Sequence, residues 1–94
     1  MNSSPADPLP ERPKGRGEVV CREVDDGFIL YDPEEGRVHS LNPAAAFIWD
    51  SLDGTQSLAE ISGNLRKIPG TEGHDVSADV LKTVTNFREE GLLE

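Results

Sequence analysis

The chain is poor in the residues that build disulfide scaffolds or metal sites. It has one cysteine, Cys21, and two histidines, His39 and His74, which lie far apart in the sequence. A single cysteine excludes an internal disulfide and cannot alone form a structural zinc site. We therefore expect no metal site in this protein.

Long apolar runs and catalytic motifs are also missing. No run approaches the roughly 20 apolar residues that cross a bilayer, and the N-terminus has no signal-peptide pattern, so a cytoplasmic location is expected. The phosphate-binding glycine loops, H-E-x-x-H and C-x-x-C are all absent. The sequence therefore predicts no catalytic residue, no cofactor and no enzymatic activity.

Basic residues are scarce in most of the chain. Residues 18–94 hold six Lys and Arg against sixteen Asp and Glu, and the formal net charge of the whole chain is −9. A domain that binds duplex DNA clusters basic residues against the phosphates, so nucleic acid is a poor partner. The alternative function, a winged-helix DNA-binding regulator, needs a basic recognition helix, but residues 75–90 offer only Lys82 and Arg88 against four acidic residues.

Residues 1–17 differ in composition from the rest. They contain four of the seven prolines and few sizeable apolar residues. Such a segment buries too little surface to offset its ordering entropy, so it is predicted to be a disordered Pro-rich tail. Residues 18–94 then form one domain with a small core.

Turn signals divide the first half of this domain into three strands. Residues 18–24, 28–31 and 37–41 favour strands, separated by Asp25-Asp26-Gly27 and by Asp32-Pro33-Glu34-Glu35-Gly36. The prediction is an antiparallel meander in which both outer strands keep a row of unpaired N–H and C=O groups. Cys21, in the first strand, is predicted to be a small buried residue.

Three helices are predicted to follow. Asn42 is the predicted N-cap, and Pro43 is the first residue, of a helix over 43–52. Trp49 lies on the apolar face of this helix, a position typical of core residues. A capping box at 57–60 begins a second helix that Pro69-Gly70 stops. A third begins near 75–77 and ends before Gly91. The pattern indicates a small α+β domain.

The run Leu41-Asn42-Pro43-Ala44-Ala45-Ala46-Phe47-Ile48-Trp49, followed by residues 50–55, carries a family resemblance. It is similar to the PqqD-like peptide chaperones, or RiPP recognition elements, and the similarity extends over residues 27–32, 36–55, 57–61 and 79–93. The resemblance implies a winged helix-turn-helix fold with a three-stranded antiparallel sheet followed by three helices. It also implies a role in natural product biosynthesis, although the sequence does not name the pathway.

Members of this family bind the leader segment of a ribosomally synthesised precursor as a strand added to the third strand, beside the third helix. The resemblance implies that this chain is a non-catalytic recognition protein whose partners are a precursor leader peptide and a modifying enzyme or protease. It places the peptide-binding residues on strand 3 and helix 3: Arg37, Val38, His39, Ser40, Val80, Thr83 and Phe87.

Plainer interpretations of these residues stay open. Helical periodicity makes Val80 and Phe87 typical of core packing. A lone exposed histidine such as His39 is often an ordinary surface residue. The outer strand could instead be covered or paired in a homodimer. Thr83 is expected to be partly exposed.

Overall fold

The computed structural model describes residues 9–70, 73 and 75–94, and it has three strands followed by three helices. The strands are β1 (Val20–Val24), β2 (Gly27–Asp32) and β3 (Arg37–Leu41). The helices are α1 (Pro43–Asp50), α2 (Leu58–Leu65) and α3 (Val76–Glu89). This is the predicted α+β order, with a sheet on one side and helices on the other.

The sheet is the predicted antiparallel meander, in the order β1-β2-β3. Val24 pairs with Gly27 around the first turn, and Asp32 pairs with Arg37 around the second. The second turn is fixed by the Asp32 carboxylate, whose Oδ1 accepts hydrogen bonds from the backbone N–H groups of Glu34 and Glu35 at 3.1 and 3.4 Å. Gly36 closes this turn with a φ of 66°, a backbone conformation that favours glycine.

The first two helices begin at the caps that the sequence predicts. Asn42 Oδ1 accepts the backbone N–H of Ala45 at 2.8 Å, and Pro43 follows as the first helical residue. Ser57 and Glu60 form a complete capping box at the start of α2. Both helices end earlier than predicted, at Asp50 and Leu65, because single hydrogen-bonded turns follow them instead of further helix.

Helix α3 ends in a Schellman motif. The Leu92 N–H donates to the Phe87 carbonyl at 2.9 Å, and the Gly91 N–H donates to the Arg88 carbonyl at 3.0 Å. Gly91 takes a φ of 76°. The motif turns the chain back so that Leu92 is buried against the helix that it follows.

One apolar core lies between the inner face of the sheet and the helices. Leu30 is its residue from the middle strand, and all three helices contribute. The buried apolar side chains are Val19, Leu30, Ala46, Ile48, Leu52, Ile61, Leu65, Val76, Val80, Val84, Phe87 and Leu92. Trp49 is half-buried and packs against this core, as its predicted position on the apolar face of α1 indicates.

The segment predicted to be a disordered tail over residues 1–17 packs against the domain in its last part. Its residues 1–8 lie outside the described residues. The Gly15 N–H donates to the Leu52 carbonyl at 2.9 Å, and the Arg16 N–H donates to the Leu92 carbonyl at 2.9 Å. Pro13 is fully buried. We call residues 13–16 the strap.

The strap is held by residues that lie far from it in the sequence. Lys14 forms an isolated antiparallel bridge with Asp53, and Gly15 forms one with Leu93. Composition alone could not reveal these contacts. Proline also restricts the unfolded backbone, which lowers the entropy lost on ordering.

In the described part of the chain no helix is long and apolar enough to span a membrane.

Candidate functional site

A cleft of about 270 Å³ lies between strand β3 and helix α3. One wall is the end of β3 with the start of α1, and the other is one face of α3 with the residue that follows its Schellman turn. The lining residues are His39, Ser40, Leu41, Asn42, Ala45, Thr83, Asn86, Phe87, Glu90 and Leu92. The cleft therefore combines an apolar floor with polar and acidic groups.

The outer edge of β3 borders this cleft. Among the described residues, β3 pairs with β2 alone, so its other side carries no strand. A strand in this position presents alternate N–H and C=O groups to an incoming chain. The edge and the cleft together can hold an extended polypeptide through its backbone and through every second side chain.

The structure brings four of the seven predicted site residues together. His39, Ser40, Thr83 and Phe87 all line the cleft. Phe87 has only 5% of its surface exposed, so it belongs both to the core and to the cleft wall.

The other three predicted residues lie elsewhere. Val80 has 0% of its surface exposed and packs in the core, which is the plainer of its two interpretations. Val38 pairs with Tyr31, and both are exposed on the outer face of the sheet, opposite the helices. Arg37 lies outside the cleft lining, and its Nη1 lies 3.7 Å from Glu90 Oε1.

Six lining residues were not predicted as site residues, and three of them carry a readable signal. Asn86 and Glu90 follow Thr83 at helical spacing, and Leu41 follows His39 at strand spacing. Asn42, Ala45 and Leu92 enter the cleft because α1 starts beside β3 and because the Schellman turn folds back. Those placements depend on tertiary structure.

A second cleft continues from the first. It measures about 440 Å³ and extends past the start of α1 towards the beginning of α3. The two clefts share Asn42, Ala45, Thr83 and Asn86. A guest chain longer than the β3 edge therefore has room to continue along α3.

His39 carries an unusual feature within the cleft. Its Nε2 is buried and has no hydrogen-bond partner among the described residues. A buried polar atom without a partner costs about 1–3 kcal/mol. Because the protein itself shields this atom, a polar group of a guest reaches it only after neighbouring side chains move.

An ion cluster lies next to the β2–β3 turn, where β3 begins. The Arg16 guanidinium donates to both carboxylate oxygens of Asp32, at 3.1 and 3.2 Å, and to carboxylates of Glu18 and Glu34 at 3.0 Å. It also donates to the Gly91 carbonyl at 2.7 Å. Chiefly through the hydrogen bonds from Arg16, the pKa of Asp32 is held below its ordinary value. Asp32 is therefore ionised at neutral pH although its side chain is only 1% exposed.

The predicted burial of Cys21 is wrong, because the residue is exposed near one edge of the sheet. Partial desolvation, followed by the charge of Asp50, raises the pKa of its thiol. A raised pKa disfavours the nucleophilic thiolate. Across the described ranges, no group of three or more His, Cys, Asp or Glu side chains could hold a metal ion.

Comparison with known proteins gives consistent family matches. The family model for PqqD, coenzyme PQQ synthesis protein D, matches residues 27–93. A PqqA binding protein from Xanthomonas campestris pv. campestris (strain B100) is 34% identical over 68 residues, which is 72% of this chain and 72% of that protein.

Solved structures agree with these matches. A lasso peptide synthetase B1 complexed with the leader peptide superposes with a TM-score of 0.73 at 28% identity, covering 88% of this chain and 98% of that one. The PqqD truncation of Methylobacterium extorquens PqqCD, a stand-alone RiPP recognition element, shares the fold, with a TM-score of 0.74 at 20% identity over 96% and 97% of the two chains. The predicted resemblance is thus confirmed, and this chain belongs to the PqqD family.

Proposed function

We propose that this protein is a non-catalytic recognition module that binds the leader segment of a ribosomally synthesised precursor peptide and presents the precursor to a modifying enzyme or protease. The observation that carries the proposal is the open edge of β3 beside the cleft, in a chain of the PqqD family. One relative is a PqqA binding protein, and one solved neighbour holds a leader peptide.

The leader binds as a fourth strand on β3. Hydrogen bonds to the β3 backbone supply affinity for any extended chain, and the cleft selects among side chains. Phe87 and Leu41 favour an apolar side chain at the floor. Thr83 and Asn86 favour a polar neighbour along the same strand.

The charge of the protein adds a preference for basic leaders. The formal net charge is −9, and Glu90 lies in the cleft wall. A leader that carries Lys or Arg is attracted to this surface, and the attraction weakens as salt shortens the screening length. The module contributes by raising the effective concentration of the precursor near its partner enzyme, and it carries out no chemistry itself.

Titration with leader peptides tests the proposal. Isotope-labelled protein is titrated with the leader of the precursor encoded beside it, with PqqA and with a lasso leader, while backbone amide shifts are followed. We expect the largest shifts in residues 37–41 and 83–92 with at least one leader. Shifts confined to other surfaces, or no binding to any of the three, would contradict the proposal.

Duplex DNA provides the control for the alternative function. Helix α3 would be the recognition helix of a winged-helix regulator, but it carries Asp79 and Glu89 besides Lys82 and Arg88. We expect no measurable binding of duplex DNA even at low salt, where phosphate contacts are strongest. Salt-dependent DNA binding would favour the regulator instead.

A further inference from the structure

The two walls of the cleft are joined by one side chain that lies outside the cleft. Arg16 donates from Nη1 to the Gly91 carbonyl at 2.7 Å and to Asp32 Oδ2 at 3.1 Å. Gly91 follows Glu90, the C-cap of α3, and Asp32 ends β2, where it pairs with Arg37 of β3. A single guanidinium thus connects the helix wall to the strand wall.

The Arg16 guanidinium is itself held in place. Its side chain is only 15% exposed, and further bonds run to Glu18 and to Glu34 in the β2–β3 turn. The strap fixes its backbone, because the Arg16 N–H donates to Leu92 and the neighbouring Gly15 N–H donates to Leu52. Hydrogen bonds therefore hold both the backbone and the guanidinium of Arg16.

Arg37, the cross-strand partner of Asp32, is directed towards the helix. Both oxygens of Asp32 accept hydrogen bonds from Arg16. The Arg37 guanidinium lies 3.7 Å from Glu90 on the helix wall. This ion pair is a second link between the same two walls, at the same end of the cleft.

We propose that Arg16 is a positioning residue that sets the spacing between β3 and α3, so that the strap forms part of the leader-binding module. The inference rests on the proposed function and extends it to residues that precede the family match, which begins at residue 27. A cleft preset to the width of a guest strand avoids the cost of ordering its walls on binding.

The geometry of the interaction requires arginine. A guanidinium presents five donors in a planar fork on three nitrogens, whereas a lysine ammonium has three donors on one nitrogen. The ammonium cannot donate at once to the four residues that Arg16 contacts, Glu18, Asp32, Glu34 and Gly91. Arg16→Lys keeps the charge and removes the fork. We expect this variant to bind the leader on the order of tenfold more weakly, a factor that corresponds to about 1.4 kcal/mol.

The test separates positioning from simple stability. Ile61 is fully buried in α2 and does not line the cleft, so Ile61→Val or Ile61→Ala, whichever matches the urea midpoint of Arg16→Lys, is the control. Leader affinity is measured by fluorescence anisotropy with a labelled copy of whichever leader binds most tightly in the titration described above, at a temperature where all variants are folded. We expect weaker binding in Arg16→Lys and unchanged binding in the Ile61 control.

A distance measurement gives a second readout. Spin labels are placed at Val38 and Glu89, on opposite walls and outside the cleft lining, in a Cys21→Ser background because Cys21 is exposed. We expect Arg16→Lys to broaden the distance distribution and the Ile61 control to leave it unchanged.

The outcomes distinguish the two proposals. If the unaltered protein binds its leader and Arg16→Lys binds it equally well, the role of Arg16 is overturned while the proposed function stands. If no leader binds the unaltered protein, the proposed function fails. In that case the spin-label distances by themselves test the role of Arg16. An unchanged distance distribution in Arg16→Lys overturns that role.

Discussion

Trp49 and Phe87 pack edge to face, with ring centroids 5.3 Å apart and ring planes inclined by 81°. Phe87 lines the cleft on its other side, and Gly15 of the strap lies directly against the Trp49 ring. Edge-to-face pairs add about 0.5–1.5 kcal/mol beyond area burial. A continuous set of contacts therefore runs from the strap through Trp49 to the floor of the cleft.

Adding one methyl group at Gly15 should disturb this set of contacts. A Cβ there would lie 2.5 Å from Cη2 of Trp49 and 2.8 Å from its Cζ2. Because the indole packs against Phe87 and cannot retreat without moving it, we expect Gly15→Ala to lower the free energy of unfolding by about 1–3 kcal/mol. Urea unfolding followed by tryptophan fluorescence measures the change.

Gly17→Ala is the matched control for Gly15→Ala. A Cβ at Gly17 meets nothing within 4 Å, although the residue lies only two positions further along the chain. We expect the urea midpoint of this variant to stay close to that of the unaltered protein. Equal losses in the two variants would show that contact with Trp49 is not the cause.

The stability of the domain in acid should depend on Asp32. Its pKa in the folded protein is lowered, chiefly by the hydrogen bonds from Arg16, below the value of about 3.9 in an unfolded chain. The ionised carboxylate therefore stabilises the fold at neutral pH, and this contribution is lost as the pH falls from about 4 through the folded pKa. The urea midpoint should fall steeply in this range.

Asp32→Asn should reduce that pH dependence. The variant is less stable at neutral pH, because it loses a charged acceptor for Arg16, but its midpoint should change less between pH 5 and pH 2. The variant still contains three other carboxyls with lowered pKa values, and these keep part of the pH dependence of stability. They are Glu18, Asp53 and Glu60. Identical slopes in the variant and the unaltered protein would exclude Asp32 as a source.

The capping box of α2 should contribute measurably to stability. Ser57 Oγ accepts the Glu60 N–H at 3.1 Å, and Glu60 Oε1 accepts the Ser57 N–H at 2.8 Å. We expect Ser57→Ala to cost about 0.5–2 kcal/mol in urea unfolding, because the cap acceptor is removed. Ser57→Asp keeps an acceptor and should restore most of the loss. A loss of the same size in both variants would argue against the cap.

Filling the cleft should block the leader without unfolding the domain. Thr83 lines the cleft, whereas Leu81 lies on the same helix, is 52% exposed and lies outside the cleft lining. We expect Thr83→Trp to weaken leader binding at least about tenfold by occupying the space of a guest side chain. Leu81→Trp should bind as the unaltered protein does. Anisotropy titration of a labelled leader compares them, and equal affinities would place the leader elsewhere.

Local signals were sufficient to predict the elements of this fold. Asn42-Pro43 and Ser57 with Glu60 mark helix starts through hydrogen bonds made within four residues, and the turn closed by Gly36 is equally local. The three strands and three helices could be predicted because each is bounded by such signals. The ends of α1 and α2 were predicted too late, since the turns that follow these helices also satisfy backbone groups.

The strap could not be predicted in the same way. Arg16 and Asp32 are separated by 16 positions, and Arg16 and Gly91 by 75. A segment rich in proline and charge is typical of disorder when only its composition is considered, and its order here depends on partners supplied by the rest of the fold. Its role therefore becomes visible only in the tertiary structure.

The site was predictable in part. His39 and Val38 are neighbours on one strand, so their side chains point to opposite faces, and the period of two could have separated them. Val80 shares its helix with Thr83 and Phe87, and only packing decides that it is buried while Thr83 borders the cleft. The unpartnered nitrogen of His39 had no signal in the sequence.

The strap meets the last residues of the chain, since Gly15 bridges Leu93 and the Glu94 N–H donates to the Lys14 carbonyl at 2.9 Å. A short linker could therefore join residue 94 to residue 13, and new termini could be opened at the Asp25-Asp26 turn, whose hydrogen bonds are local. Such a circular permutant would carry any fused enzyme at the opposite end of the sheet from Arg16. The direction from which an enzyme reaches a bound precursor would thus become an adjustable property of the molecule.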